Sequence, residues 1–166
     1  MRIFVPATGP LLADWAARGE LTGLDVAHAA TPALRQEYGN GTDDEELEYI
    51  ALVEASLSSL ELLAADGTAE RKRVVVALDL DMAVAPKGRL QYLSQVRIAH
   101  TVPLARVVSV HVDDDDAVGT VAVAAEALIG GSPETADLLD EVAEFELMWF
   151  DATELNDVAN ALSRPG

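Results

Sequence analysis

The amino-acid sequence predicts an α+β, or mixed α/β, fold in which four to five helices pack on a central mixed sheet of about six strands. Short β-branched segments alternate with segments of helical periodicity along the 166 residues, and three strand-like segments follow one another in the middle. Half of the residues are apolar, which is enough for a real core at this length. No repeat, linker or low-complexity tract interrupts the pattern, so residues 1–166 are expected to form one globular domain.

The N-terminal quarter predicts two strands, each followed by a helix. The first strand is short, apolar and β-branched, and the turn after it contains a threonine and a proline that suit a helix start. A glycine marks the end of that helix, and a proline separates the second strand from the second helix. In order, the segments are a strand over 2–6, a helix from Thr8 to Gly19, a strand over 24–31 and a helix over 32–38.

The clearest helix is predicted over residues 43–66. Apolar residues recur there at helical spacing, and Gly67 follows as a stop signal. Thr42 and Glu45 have the spacing of a capping box. The apolar face is expected to consist of Leu47, Ile50, Val53, Leu57, Leu60 and Ala64.

Three strands and four further elements are predicted after this helix. The strands cover residues 73–82, 95–101 and 106–113, and a helix rich in Ala and Val follows over 117–129. Ser132, Pro133 and Glu134 predict the start of another helix. Residues 145–150 form a last strand, and Asp151 with Glu154 resembles a capping box for a helix that ends at Leu162.

Both tryptophans, Trp15 and Trp149, lie in apolar segments and are expected in the core. The unbroken apolar run over 147–150 leaves an alternative open, namely a strand buried on both faces or a surface for a partner.

The charge of the chain is large and unevenly distributed. The formal net charge is −18, but residues 71–106 carry 7 basic against 2 acidic residues, while the segments on either side are strongly acidic. Overall acidity disfavours nucleic acids and anionic lipids as partners. The chain has no cysteine, no segment long enough to span a membrane and no signal-peptide pattern, so a cytoplasmic protein is expected.

Catalytic motifs are absent, but two groups of polar residues could bind a metal ion. Asp79 and Asp81 alternate on a predicted strand and would share one face of it. His111 and Asp113 form an H-x-D pair near the end of another strand. Together these four residues define the alternative of a small metal-dependent hydrolase. No phosphate-binding loop, dinucleotide fingerprint or nucleophile elbow occurs, and no cofactor is expected.

Several phrases in a characteristic order resemble a family of small acidic actinobacterial proteins of unknown function. They include RIFVPAT from residue 2, TPALR from 31, EELEY from 45, RVVVA from 73, VHVDD from 110 and FELMWF from 145. The resemblance extends over nearly the whole chain. It implies no activity and no catalytic residue, because none is established for the family.

The resemblance directs attention to polar residues at predicted strand ends. Thr8, Thr31 and Asp113 each follow a strand, and His111 lies just inside one. If the strands were parallel neighbours, these side chains would meet at one sheet edge, where α/β folds commonly bind ligands. Arg35, one helical turn after Thr31, would then bind an anion.

The leading functional expectation is a soluble, non-catalytic acidic protein that acts through protein association, with another protein or a second copy as its partner. The separation of charge and the missing catalytic motifs support it. The alternatives are the metal-dependent hydrolase and an anion- or ligand-binding protein with a site at a sheet edge.

Overall fold

A six-stranded antiparallel sheet forms the centre of the protein in the computed structural model, which describes residues 1–163. The strands of the chain are β1 (Arg2–Ala7), β2 (Glu20–Leu21), β3 (Ala27–Ala29), β4 (Val74–Asp79), β5 (Gln95–Val96), β6 (Val102–Pro103), β7 (Val107–Val112) and β8 (Met148–Asp151). Their order in the central sheet is β5-β3-β1-β4-β7-β8, and β2 pairs with β6 in a separate small sheet.

Within residues 1–163, six α-helices accompany the strands, where four to five were predicted, and the α+β class is confirmed. They are α1 (Gly9–Arg18), α2 (Pro32–Tyr38), α3 (Asp44–Ala65), α4 (Val118–Gly130), α5 (Thr135–Ala143) and α6 (Leu155–Leu162). Helices α1 and α6 pack together on one face of the sheet, and α3 covers part of the other face, with α4 and α5 behind it.

The sheet is not mixed as predicted, because every pairing of the described strands is antiparallel. Helices α2 and α3 connect β3 to β4, which run in the same direction. However, β1 lies between those two strands and runs the opposite way. Parallel strands are therefore present, but they are not neighbours.

Local capping signals fixed the first helix as predicted. The Thr8 hydroxyl accepts a hydrogen bond from the Leu11 amide at 3.4 Å, and Gly19 ends α1 with a left-handed φ of 79°. The predicted helix over 32–38 and the capping box of Asp151 and Glu154 are also confirmed.

Helix α3 has the predicted extent but a different cap and a different buried face. Asp43 caps it by accepting from the Glu46 amide at 2.8 Å, whereas the Thr42 hydroxyl donates to the Tyr38 carbonyl at the end of α2. The predicted Thr42–Glu45 box was therefore wrong. Leu47 and Leu60 are buried as expected, but the rest of the buried face consists mainly of the small residues Ala51, Ala55, Ser56, Ser58 and Ser59. Small side chains allow the helix to lie close to the sheet.

Several strands are shorter than predicted, because pairing partners set their ends. The segment over 24–31 forms a strand only at β3, and residues 95–101 contribute only β5. Strand β4 ends at Asp79, and β8 begins at Met148. Isolated hydrogen bonds continue beyond some of these ends, from the Ile98 amide to the Leu24 carbonyl and from the Leu80 amide to the Met1 carbonyl, but they do not extend the strands.

A buried ion pair between Arg73 and Asp113 joins β4 to β7 at one end of the sheet. The two side chains are 1% and 0% exposed. The guanidinium donates to both carboxylate oxygens, from Nε at 2.9 Å and from Nη2 at 2.7 Å, and the Arg73 amide donates to the same carboxylate at 2.7 Å. Further guanidinium contacts reach Ser56 Oγ in α3 and the Phe145 carbonyl before β8. One arginine thus connects four parts of the fold.

The neighbouring basic residues are also paired locally. Arg71 donates to the Leu63 and Asp66 carbonyls at the C-terminal end of α3, and Lys72 lies 2.7 Å from Asp115. Residues 71–73 supply three of the seven basic side chains of the basic segment. These three therefore stabilise the fold and do not form a free basic surface.

Arg73→Met should lower the free energy of unfolding by about 3–5 kcal/mol, because it leaves the Asp113 carboxylate buried without its partner. The double variant Arg73→Met with Asp113→Leu should recover most of that loss, since neither charge remains. Chemical denaturation measures both. Arg18→Met is the matched control: it breaks the exposed pair with Asp14 and should cost less than about 1 kcal/mol. Equal costs for Arg73→Met and Arg18→Met would contradict the structural role of the buried pair.

A buried polar network around His28 holds the segment between β4 and β5 against the sheet. The two ring nitrogens of His28 lie 2.7 Å from Ser94 Oγ and 2.8 Å from Ser58 Oγ. Tyr92 contacts the ring edge-on, and its hydroxyl donates to Glu61 at 3.0 Å. The network therefore connects β3, α3 and the loop that leads into β5.

Burial lowers the pKa of His28 to about 4, from an ordinary value of 6.5. The unfolded chain therefore binds a proton more readily than the native protein between these pH values, and stability should fall as pH falls through this range. The free energy of unfolding should fall by about 3 kcal/mol through His28 as the pH drops from 7 to 4. Denaturation between pH 7 and pH 4 should show a shallower decline in the free energy of unfolding for His28→Gln than for the wild type. A wild-type slope in His28→Gln would contradict the prediction.

Candidate functional site

The structure does not bring the predicted ligand-binding residues to one edge. Thr8 and Asp113 lie at the same end of the sheet, after β1 and β7, and His111 lies near that end. Thr31 follows β3, which runs antiparallel to β1, so it lies at the opposite end with Arg35. The parallel arrangement on which the predicted convergence depended was therefore wrong.

Most of these side chains have structural partners. Thr8 and Thr31 cap α1 and α2, and the Thr31 hydroxyl also donates to the Leu93 carbonyl at 2.5 Å. Arg35 pairs with Asp44 and donates to the Thr42 carbonyl. Asp113 is the buried partner of Arg73. A role for them in ligand binding stays an untested prediction.

The four predicted metal ligands also lie apart. Asp79 ends β4 and pairs with Arg2 at 2.7 Å, whereas Asp113 lies beside Arg73 at the other end of β4. Asp81 lies beyond the strand, so the two aspartates do not share a strand face as predicted. Within residues 1–163, no three His, Asp or Glu side chains are grouped so that they could hold a metal ion. The structure therefore does not group the four residues, and metal binding by them stays a prediction.

The His111 side chain lies on the face of the sheet that α3 covers. Its Nε2 lies 2.9 Å from the Ser109 hydroxyl on the same strand. Burial, and secondarily the charge of Arg2, lowers the pKa of His111 to about 4. The ring is therefore neutral at physiological pH.

The two edges of the central sheet differ in whether the chain itself covers them. At the β5 edge, Val84 and Arg97 exchange two backbone hydrogen bonds of 2.9 and 3.0 Å, and the Gln95 amide donates to the Tyr92 carbonyl. The loop that the His28 network holds in place therefore closes this edge. At the β8 edge, no segment among residues 1–163 pairs with the outer side of the strand.

The backbone of Trp149 faces outward from this free edge. The Asp151 amide donates to Glu154 at 2.9 Å and not to β7, although Asp151 lies opposite Ser109. Hydrogen-bonded and non-bonded positions alternate along an antiparallel pair. Trp149 lies two residues before Asp151 and therefore directs its N–H and C=O away from β7. Met148 and Phe150 form the hydrogen bonds to β7.

The Trp149 side chain is exposed to 61%, which is unusual for the largest apolar side chain. Trp15 is buried as predicted, so the core prediction is confirmed for Trp15 and wrong for Trp149. Met148, on the opposite face of β8, is also partly exposed. The alternative interpretation of the 147–150 run as a partner surface is the one consistent with this exposure. A free strand edge with exposed apolar side chains is a template for pairing with another chain.

Acidic residues are concentrated on either side of β8 along the chain. Residues 107–163 contain 14 acidic and no basic side chains, and nine of the acidic ones lie between residues 134 and 157. These nine are Glu134, Asp137, Asp140, Glu141, Glu144, Glu146, Asp151, Glu154 and Asp157. Of these, Asp151 lies in β8, and Glu154 and Asp157 line the same cleft as Met148 and Phe150. A segment that approaches β8 therefore meets a negative potential.

An α+β protein with one closed and one free sheet edge is thus the class that the fold and the site define. The chain belongs to a family of unknown function (DUF6912), whose model matches residues 1–159. No curated protein and no solved structure matches the chain. None of the helices in the described range is long and apolar enough to cross a membrane.

Proposed function

We propose that the protein acts by binding a basic protein partner, which adds an extended segment to the free edge of β8. The observation that carries this proposal is the outward-facing backbone of Trp149 beside its own exposed indole. Main-chain hydrogen bonds to a sheet edge supply affinity, and alternate side chains of the added strand supply specificity. This mode of action is non-catalytic, and a cytoplasmic location is part of the proposal.

Charge supports a basic partner over a second copy of the chain. Two copies would each bring a net charge of −18, and the resulting repulsion opposes their association. The three basic residues just before β4, Arg71, Lys72 and Arg73, are already paired within the fold. A segment rich in lysine or arginine meets the acidic surroundings of β8 with complementary charge.

Trp149 is the expected centre of the contact. Tryptophan is enriched among the interface residues whose truncation costs the most binding energy, roughly 2 kcal/mol or more. An added strand would cover the indole while it pairs with the Trp149 backbone. The same residue would thus contribute both hydrogen bonds and apolar contact.

The proposal is tested with a fluorescently labelled eight-residue peptide of alternating lysine and valine. Anisotropy should show binding that weakens as salt screens the charges, and a glutamate–valine peptide should not bind. Trp149→Ala should weaken binding roughly 10- to 30-fold, because the anchoring side chain is lost.

Ile129→Ala is the matched control, since Ile129 is a comparably exposed apolar residue in α4, a helix that packs on α3 and α5. It should bind the peptide like the wild type. A lysine–valine peptide with two central prolines, which cannot donate to the strand edge, should bind poorly. The proposal fails if no lysine–valine peptide binds at low salt, or if the proline peptide binds as well.

A further inference from the structure

We infer that the cleft between β8 and α6 binds a lysine or arginine side chain of the partner segment. This inference rests on the proposed function, because the segment paired with β8 would present that side chain. The cleft has a volume of about 280 Å³ and is lined by both β7 and β8 on one side and by α6 on the other. Met148 and Phe150 of the edge strand β8 are among its lining residues.

The walls of the cleft are mostly apolar. Val112, Met148 and Phe150 contribute from the sheet, and Val158, Ala161 and Leu162 from α6. Long basic side chains place their methylene groups along apolar surface while the charged end stays in water. The cleft therefore suits the stem of a lysine or arginine side chain.

The charges at the cleft select a cation. Glu154, which accepts from the Asp151 amide just before α6, and Asp157, in the first turn of α6, contribute carboxylates. Lys72 also lines the cleft, but its ammonium lies 2.7 Å from Asp115 and 3.7 Å from Glu70, so two carboxylates compensate it. Asp113 is neutralised by Arg73. The remaining potential is negative, and it attracts a cationic end group.

The register of an added strand brings alternate side chains to the cleft. A partner residue paired with Trp149 would direct its side chain to the Trp149 face of the sheet. Its two neighbours, opposite Met148 and Phe150, would direct theirs to the other face, where these two residues line the cleft. A segment with basic residues at alternate positions therefore fits both faces of β8.

The test compares the lysine–valine peptide with peptides in which one central lysine is replaced by norleucine or by glutamate. Norleucine keeps an apolar stem without the charge, and it should bind on the order of fivefold more weakly; glutamate should bind more weakly still. Asp157→Asn should remove the preference for lysine over norleucine. Asp137→Asn, an exposed change in α5, is the matched control and should keep it.

A second pair of variants tests whether filling the cleft weakens peptide binding. Ala161→Phe places a ring at the exposed end of the cleft and should weaken lysine–valine binding about tenfold. Asn160→Phe adds the same ring at an exposed neighbouring position that does not line the cleft, and it should bind like the wild type.

These variants distinguish side-chain binding in the cleft from strand pairing at the edge of β8. If Trp149→Ala weakens binding while Asp157→Asn keeps the lysine preference and Ala161→Phe binds normally, the inference about the cleft is overturned and the proposed edge pairing stands. If no lysine–valine peptide binds at low salt, the proposed function and the cleft inference both fail.

Discussion

The buried pair of Arg73 and Asp113 is the interaction on which the arrangement of the other elements depends. It holds β4 against β7, and the same guanidinium reaches α3 through Ser56 and the connection before β8 through the Phe145 carbonyl. A buried charge is costly unless it is paired and hydrogen-bonded, so the surrounding groups are constrained to these positions. The ion pair thereby fixes where the chain enters β8, and with it the position of the free edge.

The two sheet edges differ for physical reasons that lie in the sequence between the strands. The loop before β5 returns to the sheet because His28 and Ser94 anchor it, and its backbone closes that edge. Strand β8 is followed at once by a capping box, which turns the chain into α6. The chain therefore leaves the sheet without covering the outer side of β8. Acidic side chains around that side oppose pairing between two copies, which is one way proteins protect an exposed strand.

Elements with local signals could be predicted from the sequence, whereas pairings between distant segments could not. Thr8, Gly19 and the Asp151–Glu154 box act on neighbours in the chain, and they form as expected. Asp113 resembled a ligand because its partner lies 40 residues away. Trp149 was assigned to the core because an apolar run does not reveal which strand lies at an edge. The buried face of α3 was partly missed because close packing on a sheet favours Ala and Ser over larger apolar side chains.

Amide hydrogen exchange along β8, with and without the lysine–valine peptide, tests most directly whether this edge pairs with a partner strand. In the free protein the Trp149 amide should exchange rapidly, and those of Met148 and Phe150 slowly, because only the latter pair with β7. Saturating peptide should slow exchange at Trp149 by about tenfold or more and leave its two neighbours unchanged. A slow Trp149 amide in the free protein, or unchanged exchange there with peptide bound, would contradict pairing at this edge.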